Sequence, residues 1–136
     1  MSKTTDTSKT GVGHAAGTPV AIHVGINGGG STITTGIVAG ADYVVPYNMQ
    51  IDSWQIFANA SGSVVVDVWA DTYSNFPPTV LDSIAGAEKP TLSSASKNQD
   101  TSVGPWLLNE GDIMRFNVDS VTTVTSVNII LKGVRT

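Results

Sequence analysis

The chain has no cysteine, only two histidines and few charged side chains. Without cysteine there can be no disulfide, no thiol nucleophile and no cysteine-based zinc site. That fits folding in a reducing cytoplasm, although secreted proteins can lack cysteine too. The histidines, His14 and His23, show no His-x-His or His-Glu-x-x-His spacing. A zinc or iron centre would therefore need carboxylates that no motif supplies. His23 reads as a solvent-facing strand residue and His14 as incidental.

Charged residues are 13% of the chain and hydrophobic ones 40%, whereas charged residues average about 25% in globular domains. Ser, Thr, Asn and Gly must then cover most of the surface, which suits strands, where Thr is favoured over Lys and Glu. Sparse charge also suits a chain packed against copies of itself, because buried charge must be desolvated. The net charge is −4, the pI is near 4.8, and the seven Lys and Arg residues are scattered. No basic patch forms, which argues against nucleic acid as a partner.

Long apolar runs are missing as well. None approaches the roughly 20 residues that a membrane-spanning helix needs, so no membrane insertion is expected. Residues 1–17 have no apolar centre and do not read as a signal peptide. Helical periodicity of useful length is also absent.

Strand signals, in contrast, are plentiful. Val20, Ile22 and Val24 alternate with Ala21 and His23, and Gly28-Gly29-Gly30 breaks the pattern. Thr32–Val38 and Tyr43–Pro46 follow as short strands, the second closed by its proline. Met49–Ala60 and Ser63–Ala70 read as two strands joined by a hairpin turn at Asn59-Ala60-Ser61-Gly62. In that reading Trp54 and its neighbours pair with a face made by Val64, Val66 and Val68. Weaker candidates are Val80–Ile84 and Pro90–Lys97, and Trp106–Leu108 follows them. Ile113–Val118 turns Met114, Phe116 and Val118 inward, and Val121–Val134 turns in Val127, Ile129 and Leu131. The expected fold is all-β: a β-sandwich or jelly roll of about eight antiparallel strands with an extended N-terminal arm. The ordered domain should start between Pro19 and Thr32. Its boundary is drawn to give an arm over 1–27, extended or flexible, and a sandwich over 28–136.

Catalytic motifs fail one by one. Gly-x-Ser-x-Gly is absent, and Ser94 with Lys97 has Ser-x-x-Lys spacing in a strand-like run rather than at a helix start. Gly28-Gly29-Gly30-Ser31 lacks the Lys and the following helix of a phosphate loop. Carboxylate pairs, Asp67 with Asp71 and Glu110 with Asp112, are the best candidates for a glycosidase, but such pairs also cap turns or bind calcium. The expectation is a protein that is no enzyme and carries no cofactor or catalytic metal.

The loop after the valine strand is more informative. Pro77-Pro78 fixes two φ angles and biases Phe76 towards extended backbone, so the loop is pre-ordered. Trp69, Tyr73 and Phe76 supply aromatic area, while Asp71, Thr72 and Asn75 supply hydrogen bonds. Such a mixture can grip a sugar or a protein surface, or it can plug an open end of the sandwich. Trp69, Asp71, Tyr73, Asn75 and Trp106 are the candidate contacts.

Three separated blocks carry a resemblance. They are Val66-Asp67-Val68-Trp69-x-Asp71-Thr72-Tyr73-x-Asn75-Phe76-Pro77-Pro78-Thr79, Lys89-Pro90-Thr91-Leu92-Ser93, and Gly111–Ser120. Together with Gly28-Gly29-Gly30-Ser31-x-Ile33-Thr34-Thr35-Gly36 they resemble the β-sandwich module of tailed-bacteriophage structural proteins. That module occurs in head-fibre and decoration proteins and at the ends of tail fibres, and the match covers about residues 24–135. The resemblance implies a non-enzymatic virion protein, often trimeric, made in the host cytoplasm. Only a short polar segment precedes the module, which leaves no room for a fibre shaft. The expectation therefore shifts towards a head decoration, cement or head-fibre subunit whose partners are its own copies and a major capsid or other virion protein. In that reading Lys3, Lys9, Val12 and His14 lie in a capsid-anchoring or inter-subunit arm. The alternative is a tail-tip module that binds host surface polysaccharide through Trp69, Tyr73 and Trp106.

Overall fold

The computed structural model describes residues 15–136. Eight strands form in chain order: β1 (Pro19–Asn27), β2 (Gly36–Ile37), β3 (Tyr43–Val44), β4 (Met49–Asp71), β5 (Thr91–Asp100), β6 (Trp106–Leu108), β7 (Ile113–Thr122) and β8 (Ser126–Arg135). All their pairings are antiparallel, in the order β1-β8-β4-β7-β2, with β3 also on β7 and with β5 and β6 on β4. The all-β sandwich expected from sequence is present, and it is made by folding one sheet onto itself.

The fold is made at β4. No hairpin forms at Asn59–Gly62; the strand continues through it for 23 residues. Its first half, Met49–Ala58, pairs with β8, and its second half, Ser63–Asp71, pairs with β7. The Trp54 and valine segments therefore belong to opposing layers of the sandwich and do not pair with each other. Three neighbouring segments bend together along the line between the layers. Gly62 lies there in β4, opposite Ala95, next to which Ser94 has φ 49°; Thr123, just after β7, has φ 64°. A Cβ on Gly62 would sit 2.6 Å from Val124 Cγ2 and 2.9 Å from the Thr122 carbonyl oxygen, so the residue is set by close approach of backbone.

A second irregularity changes which side chains face inward. The β4–β8 register shifts between Ile51 and Ser53, so Ile51, Trp54 and Ile56 all point into the core despite their mixed parity. Such a bulge puts one extra residue into a strand and switches its faces. Along Val64–Val68, Met114–Val118 and Val127–Leu131 the inward side chains alternate simply. Val64, Val66, Val68, Met114, Phe116, Val118, Val127, Ile129 and Leu131 are buried in one cluster that joins both layers. Each large side chain fully buried there contributes roughly 1.5–3 kcal/mol.

The expected arm also needs correction. Its expected span includes residues 19–27, but these form strand β1 and pair with β8 along their whole length. Ile22, Val24 and Ile26 face the core, so the alternation that begins at Val20 marks a structural strand. Val80–Asp82, expected as strand, is a 3₁₀ turn. Of the expected strand Thr32–Val38, only Gly36–Ile37 pairs.

Candidate functional site

The segment from Asp67 to Ser83 crosses the outer face of the layer formed by β7 and the second half of β4. Asp67 is at its root. It points away from the core yet is only 1% exposed. Its Oδ1 accepts from the Val68 amide at 2.8 Å and the Ser83 hydroxyl at 2.7 Å, and its Oδ2 from Trp69 Nε1 at 2.9 Å. Lys89 Nζ lies 3.7 Å from Oδ2 and also donates to Asp119 at 2.9 Å. Hydrogen bonding to Asp119, aided by the Asp67 charge, holds the Lys89 ammonium above its ordinary pKa. A carboxylate with this many donors is a clasp. It fixes Ser83, and with the Ile84 amide bonded to the Val68 carbonyl at 2.9 Å it pins the far end of the loop to β4.

Between the two ends the loop is tied twice more. Asp71 Oδ1 accepts from the Thr72 amide at 2.7 Å and from Asn75 Nδ2 at 3.2 Å, closing a 3₁₀ turn at Tyr73–Asn75. Those bonds, the Thr72 amide first, hold the Asp71 carboxyl below its ordinary value. At Val80–Asp82 a capping box operates: the Leu81 amide donates to Thr79 Oγ1 at 3.3 Å and the Thr79 amide to Asp82 Oδ2 at 2.8 Å.

The rigid loop presents apolar groups to solvent. Tyr73 is 79% exposed, Phe76 46% and Leu81 92%. Tyr73 and Phe76, with Ile113 beneath, line an open cavity of about 400 Å³. Val44, exposed beside it, is the cross-strand neighbour of Ile113. The Phe76 ring is held from below by the Arg115 guanidinium at 4.9 Å, which is itself fixed by two bonds to Asp42 at 2.8 and 3.0 Å.

The sequence candidates thus separate. Asp71, Tyr73 and Asn75 come together on the loop. Trp69 lies under it, 7% exposed, with its indole N–H given to Asp67. Trp106 is in β6 opposite Ile51, 3% exposed in the core, and its Nε1 has no hydrogen-bond partner among the described residues. Neither indole is placed to touch a ligand at the surface, because both rings fill space between packed elements. Lys3, Lys9, Val12 and His14 lie outside the described residues. Phe76 and Ile113, which complete the cavity, and Leu81 were not among the candidates. Thr79-x-x-Asp82 was the readable sign that Leu81 is held in a fixed turn.

Asp67 accepts three hydrogen bonds beside Lys89, and Asp71 accepts two within its turn. Glu110 and Asp112 belong to the turn before β7, where the Asn109 amide donates to Asp112 Oδ2 at 2.9 Å and the Glu110 amide to Asn48 Oδ1 at 2.8 Å. His23 is exposed, with Nε2 3.1 Å from Asn128 Oδ1. Among the described residues no three His, Cys, Asp or Glu side chains converge as metal ligands. No family model and no curated protein matches the chain.

Proposed function

We propose that this is a non-enzymatic bacteriophage virion structural protein, a capsid decoration, cement or head-fibre subunit that assembles as a homotrimer. The observation that carries the reading is the clamped apolar loop: Tyr73, Phe76 and Leu81 held out to solvent by a clasp at each end. Rigid exposed apolar groups are anchors for a protein surface, because little side-chain or loop entropy is lost on docking. The resemblance of its separated sequence blocks to phage head and fibre modules suggests the biological setting. The sparse charge of the remaining surface suits close packing on a particle.

The test is location and attachment. Labelled protein should decorate heads of the virion, and Leu81→Asp should reduce its incorporation while leaving the fold intact. Label confined to the tail tip overturns the head assignment. It would favour the second reading, a glycan-binding tip, for which the open cavity lined by Tyr73, Phe76 and Ile113 is the specific support. In that case a glycan array should give saturable binding that Tyr73→Ala abolishes.

A further inference from the structure

The two outer faces of the sandwich differ in charge. On the face crossed by the loop, the exposed apolar groups Tyr73, Phe76, Leu81 and Val44 are edged by carboxylates. Asp71 lies opposite Ile113 across the β4–β7 ladder, Asp112 precedes Ile113 in a turn that also holds Glu110, and Asp82 follows Leu81. None of these four forms an ion pair among the described residues, whereas Arg115 is occupied by Asp42, and Lys89 by Asp67 and Asp119. With the four set aside, the chain's other seven acidic residues balance its seven lysines and arginines. The four therefore match the whole net charge of −4.

The opposite layer presents the reverse. There Trp54, Ile56, Ile129 and Leu131 point into the core, so Gln55, Phe57, Ile130 and Lys132 face outward along β4 and β8. Strand β5 adds Lys97 directly opposite Phe57, and Gln99 opposite Gln55. Gln55, Phe57, Lys97, Asn98 and Gln99 line a groove of about 410 Å³, with the exposed Phe57 as its one apolar side chain. Its lining holds no carboxylate, and neither Lys97 nor Lys132 is ion-paired among the described residues. Gln55 Nε2 donates to Gln99 Oε1 at 3.0 Å, which ties one wall across two strands.

We propose that the loop of one copy docks in this groove of the next, with Leu81 and Tyr73 against Phe57 and the carboxylate rim towards Lys97 and Lys132. The inference rests on the reading of the loop as a protein-docking surface, and it names the partner as a second copy of this chain. Charge selects that partner. Loop against loop would oppose one set of carboxylates to another, and groove against groove would oppose lysine to lysine, whereas loop in groove pairs opposite signs. Shape agrees with charge. An apolar centre inside a polar rim is the ordinary anatomy of a protein interface. Both halves are also set beforehand, the loop by its clasps and the groove by a paired three-stranded layer, so little ordering is lost on contact.

The arrangement has a geometric consequence. Loop and groove lie on opposite layers, so every copy offers one of each and the contact is heterologous. Such contacts close into a ring, of which the proposed homotrimer is one, or run on as a filament, and they do not stop at two.

The experiment reads the mass of the full chain by light scattering over a range of concentrations. The wild type should exceed a dimer. Leu81→Asp removes the loop's anchor and Phe57→Asp puts a carboxylate in the groove, so each variant alone should be monomeric. Mixed in equal amounts, they should form a one-to-one pair that grows no further, because the first keeps its groove and the second its loop. Lys97→Glu with Lys132→Glu should weaken association by roughly tenfold or more, and it replaces Phe57→Asp in the mixture if that variant does not fold. A monomeric wild type overturns the proposal, as does an oligomer that stops at two or survives either anchor substitution. Folded variants that stay apart when mixed overturn it too. Retention on virions separates this inference from the reading beneath it. With a monomeric wild type, a Leu81→Asp variant that is still poorly retained means that the loop docks on a different protein. Unchanged retention means that the loop is no docking surface at all.

Discussion

Asp67 shows how much a single buried charge can organise. Its oxygens gather the Val68 amide, the Trp69 indole and the Ser83 hydroxyl beside Lys89, so they tie loop, strand and the neighbouring Asp119 together. Replacing it by alanine leaves three donors without an acceptor under the loop. Asp67→Ala should therefore cost about 2–4 kcal/mol, read from urea unfolding followed by tryptophan fluorescence. Asp71 works differently because it is open to solvent. Its pKa is depressed by the Thr72 amide and Asn75, so its support for the turn is complete above the ordinary value of 3.8 and is lost as pH falls through the lower folded value. Exchange protection of the Thr72 amide, corrected for intrinsic rate, should fall on the acid side of that range, and Asp71→Asn should remove the dependence. Lys89 runs the opposite way: its raised pKa makes its contribution full below 10.5 and lost as pH climbs past the folded value.

Among the elements, β4 decides the architecture, and its sequence was legible only in part. Alternation placed Val64, Val66 and Val68 in the core correctly, as it did Met114 to Val118 and Val127 to Leu131. It failed at Asn59–Gly62, where turn chemistry pointed to a hairpin. Those residues are compatible with reversal, but Gly62 is needed for its missing Cβ against Thr122 and Val124, a contact about 60 residues away that no local pattern announces. The bulge near Asp52 hid the shared direction of Ile51 and Trp54 in the same way. The loop was legible as rigid from its two prolines, whereas the burial of Trp69 and Trp106 depends on what folds over them. Gly62→Val should cost about 1–3 kcal/mol or more through overpacking, measured as a lowered denaturation midpoint, because the close neighbours include backbone. Its effect should exceed that of Ala60→Val, an exposed position two residues away.

At the level of the whole molecule, a stable interior is combined with an outward-facing loop that adds little to it. Leu81 is almost wholly in water, so Leu81→Asp should shift stability by no more than about 0.5 kcal/mol. Under the proposed decoration role, the amount of protein retained on purified virions should fall at the same time. A loss of stability instead would mean that the leucine packs within its own chain. Dependence on pairs remote in sequence, β1 with β8 above all, also places folding in the slow millisecond-to-second range typical of β-sandwiches.

The β1–β8 pairing has a mechanical consequence. Gly17 and Thr18 both bond to Arg135, so the chain enters and leaves this pair of strands at the same end. Tension between residues 15 and 136 would therefore peel the ladder open one rung at a time, starting at Thr18 and Arg135, and would not load all the rungs of the nine-residue strand together. Pulled in this direction the domain yields at low force. Pulled between residue 15 and the loop at Leu81, it would have to be sheared across its core.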